Sequence, residues 1–137
     1  RQRQMCIRDR YKPEKKVIII DGDGNVLMAL GTLAMIAAEA PENLIHVVID
    51  NEVYESTGSQ RSLSGKVKLE EIAKSSGYKN VLRIDKKEEI KEAFLKLKES
   101  PGPNFLLIKV EPCFDSSTGR VTHTPEEITQ RFMHAIA

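Results

Sequence analysis

The sequence predicts an α/β domain in three layers, αβα, around a mostly parallel sheet. Apolar runs of strand length, VIII at 17–20, LIHVVI at 44–49, VLRI at 81–84 and FLLIKV at 105–110, each lead into a polar turn, as strands buried on both faces do. Segments of helical length or period lie between them, at 26–40, around Leu69, Ile72 and Ala73, and around Ile90, Ala93, Phe94 and Leu97. Strands alternating with helices favour a parallel sheet covered on both sides, with right-handed crossovers.

Each element has a local cause. Val17 to Ile20 is β-branched and ends in DGDG, residues that strands disfavour. VLMALGTLAMIAAEA, Val26 to Ala40, is apolar on nearly every side and stopped by Pro41, so a buried helix is expected. Leu44 to Ile49 is the second strand, closing at Asp50 and Asn51. EVYESTGSQRSLSGK, 52–66, lacks periodicity and reads as a loop long enough to carry function. Gly77 is expected to cap the short helix around Leu69, and Val81 to Ile84 is the third strand. Asp85 with Glu88 resembles a capping box. It precedes a helix whose apolar face is Ile90, Ala93, Phe94 and Leu97 and whose Lys and Glu residues, 86–99, face solvent. SPGPN breaks the chain before Phe105 to Val110, the fourth strand. Thr124-Pro125-Glu126-Glu127 caps a last helix with proline at its first position. Met28, Met35 and Met133 are expected in the core, His46 as a hydrogen-bonded core histidine, and His123 as a solvated loop residue.

A chain of 137 residues, 40% hydrophobic with a net charge of +1, suits one globular domain. No basic face points to nucleic acid. Cys6 and Cys113 are far apart with no CxxC spacing, which fits a reducing compartment. No apolar run reaches the ~18 residues of a membrane span and no signal-peptide core is present, so a cytoplasmic setting is expected. RQRQMCIRDR, residues 1–10, has neither strand nor helix periodicity. It reads as translated adaptor DNA joined to a truncated gene, with native residues upstream of Tyr11 missing and 11–137 forming the domain.

The turn DGDGN, 21–25, is both acidic and open. In such sheets ligands bind beyond the carboxyl ends of the strands, where Asp23 follows strand one and Asn51 follows strand two. A carboxylate and an amide oxygen suit a hard cation, and magnesium is commonly held by one or two carboxylates plus substrate phosphates. Gly22 and Gly24 let backbone approach a ligand, and a helix starting at Asn25 favours an anion. A phosphate with its metal fits this set. A dinucleotide site fits poorly, because Leu27 stands at the third glycine of GxGxxG and Asp23 would face a pyrophosphate. Like charges ~4 Å apart repel by roughly 4 kcal/mol at an effective dielectric of ~20. A phosphatase of the haloacid-dehalogenase type would use Asp21 as nucleophile and Asp23 as acid. It also needs a Ser or Thr after the next strand, where Asp50-Asn51 stands. A turn that merely caps a helix leaves Asn51 and the Ser/Thr/Gly loop unexplained.

With GDG at 22–24, DN at 50–51 and the segment ENLIHVVIDNEVYESTGSQ, 42–60, the pattern resembles the cofactor motif of thiamine diphosphate enzymes. DNEVYESTGSQ, IAKSSGY, GPNFLLIKVEP and TGRVTHTPEEITQRFM are most similar to the phosphonopyruvate decarboxylase group, followed by the sulfopyruvate decarboxylases. The resemblance covers Tyr11 to Ala137 and corresponds to the C-terminal, diphosphate-binding domain, that is, the thiamine diphosphate-binding fold. It implies Asp23 and Asn51 as side-chain magnesium ligands and the carbonyl of Val53 as a third. Gly22, Gly24 and Asn25 would lie along the diphosphate with Tyr54 close by, while Asp21 shapes the turn. The implied reaction is decarboxylation of a 2-oxo acid, phosphonopyruvate to phosphonoacetaldehyde or, alternatively, the sulfopyruvate reaction as a beta subunit. The cofactors implied are thiamine diphosphate and Mg2+. A pyrimidine-binding domain or subunit would supply the activating glutamate, in a homo- or hetero-oligomer, and neither Glu52 nor Glu55 takes that role. This chain alone is therefore expected to be inactive. Two departures stand out: Ser59 replaces a glycine common in the family, and Pro112-Cys113-Phe114-Asp115 replaces a basic loop, which weakens the case for a phosphonate.

Overall fold

The computed structural model describes residues 14–113, 119 and 121–136. The expectations for residues 1–10, Cys6 and Phe114-Asp115 lie outside them. Four strands form one all-parallel sheet: β1 (Val17–Gly22), β2 (Leu44–Asp50), β5 (Asn80–Ile84) and β6 (Asn104–Lys109), in the order β1-β2-β6-β5. Helices α1 (Asp23–Met28), α2 (Gly31–Glu39), α3 (Leu69–Ser76), α4 (Ile90–Glu99) and α5 (Pro125–Ile136) intervene or follow. The α/β class and its parallel sheet are as expected.

Burial divides the core by sheet face. On one face Val17 and Ile19 of β1, Leu44 and Val48 of β2, and Phe105 and Leu107 of β6 pack with Val26, Leu33, Ile36, Leu69 and Ala73 from α1, α2 and α3. On the other, Ile45, Val47, Leu106 and Ile108 meet Ala93 and Leu97 of α4. The expected apolar face of α4 is therefore the one that packs. Cover on this second face is incomplete, which corrects the expectation of a sheet buried on both sides. A single helix is about 10 Å wide and strands are about 4.8 Å apart, so α4 does not reach β1, where Ile18 and Ile20 are 47% and 70% exposed.

The buried helix expected over 26–40 is two helices, α1 and α2, broken at Ala29–Leu30. Gly31 is a weak helix former, and only the Val26, Leu33, Ile36 stripe is buried. Met28, Met35 and Met133 are exposed rather than in the core. Methionine marks apolar surface of either kind, and composition does not tell an inward stripe from an outward one.

Capping gave mixed results. Gly77 is left-handed, at φ 111°, and closes α3 as expected. The Thr124 box forms in full, with Glu127 N–H donating to Thr124 Oγ1 (3.2 Å) and Thr124 N–H to Glu127 Oε2 (2.8 Å). The Asp85 box does not form: a 3-10 turn at Lys87–Glu89 precedes α4, and Asp85 instead accepts from Arg83. That pairing holds the Asp85 carboxyl below its ordinary value and raises the Arg83 guanidinium. The loop at 52–66 is not structureless. It holds a small antiparallel pair, β3 (Val53–Tyr54) with β4 (Gln60–Arg61), and two 3-10 turns. Among the described residues no helix is long and apolar enough to cross a membrane, and Cys113 is an exposed free thiol.

Candidate functional site

Every residue expected at the site lies on one rim of the sheet. Gly22 ends β1, Asp23, Gly24 and Asn25 form the first turn of α1, Asn51 follows β2, and Val53 and Tyr54 are β3. The helix starts at Asp23, two residues earlier than expected, and Gly22 precedes it without a side-chain cap. β1 and β2 are direct neighbours, with Gly22 opposite Ile49. Asp23 and Asn51 thus sit just past the ends of adjacent strands, not on opposite edges.

Asp23 is 2% exposed. Its Oδ2 accepts from Ser62 Oγ and lies 2.9 Å from Ser64 Oγ. Ser64 Oγ is also 2.7 Å from Asp50 Oδ1 and 2.9 Å from Ser62 Oγ. These four oxygen–oxygen contacts share two hydroxyl hydrogens, since each serine has one to donate. The remaining contacts face lone pair to lone pair. Among the described residues no cationic side chain pairs with Asp23, so the cluster is short of positive charge. A hard divalent cation on this rim would remove that deficit, and oxygen donors are what it takes.

Asn51 Oδ1 accepts the N–H of Val53 at 3.1 Å, a local turn that leaves a second lone pair. Among the described residues no three His, Cys, Asp or Glu side chains converge as a ready-made metal centre. A metal here would rest on mixed oxygen ligands. Tyr54 lies over Gly24: a Cβ there would sit 2.7 Å from Tyr54 Cδ1 and closer still to Cε1. The bare backbone at 24 is thus a packing requirement.

Beside this rim Lys109, at the end of β6, donates to Asp50 Oδ2 at 2.9 Å and to Glu52 Oε1. Partial burial by itself lowers the Lys109 amine, but the bonds to Glu52 and Asp50 outweigh it and hold it above the ordinary lysine value. An open cavity of about 570 Å³ adjoins, lined by Asn51, Val53, Arg61 and Lys109 among others. Glu55 accepts from the backbone N–H of Cys113 at 3.1 Å. His123 is exposed, as expected for a loop histidine, and contacts Arg131.

Asp21 bridges the core and the turn. Its Oδ2 lies 2.9 Å from His46 Nε2, and its Oδ1 accepts from Asn25 Nδ2 at 2.5 Å. His46 is 1% exposed, the hydrogen-bonded core histidine that was expected. Sequence reasoning placed Asp50 in the DN pair without giving it a role, and did not single out Ser62, Ser64 or Lys109. The available signal was the SxS spacing in the polar loop, and nothing local tells such a serine from a solvated one.

A family model described as the C-terminal TPP binding domain of thiamine pyrophosphate enzymes matches residues 4–108. Phosphonopyruvate decarboxylase of Streptomyces viridochromogenes is 39% identical over 118 residues, 86% of this chain and 30% of that protein. Sulfopyruvate decarboxylase of Methanosarcina acetivorans is 37% identical over 126 residues, 91% of this chain and 32% of that protein. Sulfopyruvate decarboxylase subunit beta of Methanocaldococcus jannaschii is 38% identical over 124 residues, 90% of this chain and 65% of that protein. The chain thus spans about a third of the first two and just under two thirds of the third. A solved chain from Mycobacterium smegmatis, assigned as a thiamin diphosphate-dependent enzyme, superposes with a TM-score of 0.66 at 16% identity, over 80% of this chain and 20% of that one. At that identity it speaks to the fold alone.

Proposed function

The chain belongs to the thiamine pyrophosphate enzyme family through its C-terminal cofactor-binding domain, and from that membership we propose that it is the diphosphate- and magnesium-binding half of a 2-oxo acid decarboxylase. The substrate proposed is phosphonopyruvate and the product phosphonoacetaldehyde. The observation that carries the reading is the buried Asp23 carboxylate, short of positive charge, at the adjoining ends of β1 and β2 with Asn51 beside it. In this reading residues 11–137 are the domain and 1–10 lie outside it.

Asp23, the Asn51 amide oxygen and the Val53 carbonyl would hold magnesium. Gly22, Gly24 and Asn25 would lie along the diphosphate, with Tyr54 against the turn. When bound, thiamine diphosphate supplies the electron sink that makes loss of carbon dioxide from a 2-oxo acid feasible. The chain's own residues bind and orient. Asp23 supplies negative charge to the ion, and Lys109 offsets part of the charge of Asp50 and Glu52 next to it, so the ion and not the rim itself would offset the charge of a diphosphate. Glu52 is engaged by Lys109 and Glu55 by the Cys113 backbone. The activating glutamate is therefore assigned to a pyrimidine-binding domain or subunit, in a homo- or hetero-oligomer. The relatives' greater length supports this, as do the exposed Ile18, Ile20, Met28 and Met35, apolar surface of the kind that partners cover. A cytoplasmic setting belongs to the reading and is supported by the free Cys113 thiol.

A second substrate, sulfopyruvate, with this chain as a beta subunit, is favoured by one observation: the sulfopyruvate decarboxylase beta subunit of Methanocaldococcus jannaschii is 38% identical to this chain, as similar as the phosphonopyruvate decarboxylase at 39%. The phosphatase alternative has no support in the geometry, since the Asp21 carboxylate is engaged by His46 and Asn25.

The experiment uses the complete protein, with its pyrimidine-binding part fused or added, and calorimetric titration of thiamine diphosphate with magnesium. Saturable binding is expected, abolished by Asp23→Ala and by chelation of the metal. Binding that survives Asp23→Ala overturns the site. Hydrolysis of an aryl phosphate that disappears in Asp21→Asn would overturn the class. Carbon dioxide release from phosphonopyruvate against sulfopyruvate then decides the substrate.

A further inference from the structure

We propose that His46 is a positioning residue for the diphosphate turn, acting through Asp21 on Asn25; this rests on the reading of the turn as a cofactor site. His46 is the third of the seven residues of β2, opposite Ile19 of β1 and Phe105 of β6. A buried polar group in an apolar strand costs stability unless its hydrogen bonds are made. Here both ring nitrogens have partners, Asp21 Oδ2 at 2.9 Å and Tyr78 OH at 3.2 Å.

The partners define the proton positions. A carboxylate only accepts, so Nε2 carries the hydrogen that faces Asp21, and in the neutral ring Nδ1 accepts from the Tyr78 hydroxyl. The ring is also held by packing, edge-on to Phe105 with centroids 5.4 Å apart, while Tyr78 stands edge-on to the same Phe105 at 5.5 Å. His46 and Tyr78 are buried at 1% and 5% exposure. The imidazole therefore has little room to rotate.

What it orients is Asp21. The carboxylate bridges His46 to Asn25 Nδ2 at 2.5 Å, so it ties the end of β1 to the first turn of α1 across Gly22-Asp23-Gly24. Two glycines make that stretch the easiest part of the site to deform. The same bond fixes one oxygen of Asp21 against the sheet while the other holds Asn25. Without His46 the carboxylate loses a buried anchor, and its hold on Asn25 loosens. The line runs Tyr78, His46, Asp21, Asn25, from the segment after α3 to the start of α1.

The test is the dissociation constant of thiamine diphosphate at saturating magnesium, by calorimetry on the complete protein with its pyrimidine-binding part. His46→Leu should weaken binding roughly tenfold, the scale of a lost charge-assisted hydrogen bond. His46→Gln, which can offer an amide N–H at similar reach, should restore binding to within about threefold. Leu97→Ala, in the opposite core layer, serves as the stability control and should leave affinity unchanged despite a lowered Tm. The proposal is overturned if His46→Leu binds as the unsubstituted protein does. It is also overturned if His46→Gln restores nothing, or if Leu97→Ala weakens binding as much. Should His46→Leu not fold, Tyr78→Phe keeps the ring and removes the far hydroxyl. It should cost about threefold, and an unchanged constant overturns the proposal. Absence of binding by the unsubstituted protein removes the functional reading and this proposal with it, whereas binding indifferent to His46 removes the proposal alone.

Discussion

Gly24 and Tyr54 form a contact that leaves no room for a methyl group. Gly24→Ala must push the Tyr54 ring aside or tilt α1, and overpacking of this kind costs about 1–3 kcal/mol. A drop in Tm together with weaker thiamine diphosphate binding is expected, and a double variant that also carries Tyr54→Ala should recover part of the Tm. Ser59 sits at φ 60°, the left-handed region that a side chain disfavours by about 1 kcal/mol. Ser59→Gly should therefore stabilise modestly, read as a raised Tm, because glycine adopts that backbone without strain. Lys109 is tied to an Asp50 side chain that is 3% exposed. Lys109→Met would leave a buried carboxylate without its cation, and denaturant unfolding should show a loss of roughly 3 kcal/mol. The sign of the pH effect follows from the raised lysine value. The contribution is fully present below about pH 10.4, the ordinary lysine value, and is lost as pH rises through the higher folded value. Lys109→Met should accordingly flatten the alkaline arm of the stability profile.

At the scale of elements, local rules hold best where one short segment supplies both partners. The Thr124–Glu127 box needs four consecutive residues, and it forms as its sequence predicts. Described side chains of α5 are exposed, Ile128, Phe132 and Met133 included. Its helicity therefore leans on the cap, and Thr124→Ala should cost about 1 kcal/mol, visible as faster amide exchange confined to 125–136. The Asp85 box fails because Arg83, two residues back on β5, offers the carboxylate a guanidinium. Local pattern cannot weigh that rival. The break between α1 and α2 is a case of the same kind. Continuous apolar composition is compatible with one long helix or two, and the break reflects how Val26 and Leu33 each seat on the sheet.

For the whole molecule, β1 is the exposed feature. It is an edge strand, Ile18 and Ile20 on its open face are exposed, and such strands template association. The chain expressed by itself should self-associate with rising concentration by light scattering, and Ile20→Lys should reduce this without unfolding the protein. If light scattering finds the unsubstituted chain monomeric at all accessible concentrations, the open edge is not sticky and its role in assembly falls.

Alternation of apolar runs with helical segments was sufficient by itself to determine the αβα class and the four strands of the parallel sheet with most of their ends, though not the short β3–β4 pair. The acidic glycine turn and the DN pair were legible as well, because buried strands and short motifs are written in consecutive residues. Strand order, the convergence of Ser62, Ser64, Asp50 and Lys109 around the rim, and the link from His46 through Asp21 to Asn25 were decided only by the tertiary structure. Each of these joins residues far apart in the chain, and a residue's burial and partners depend on which strands become neighbours, a choice no local stretch of sequence contains.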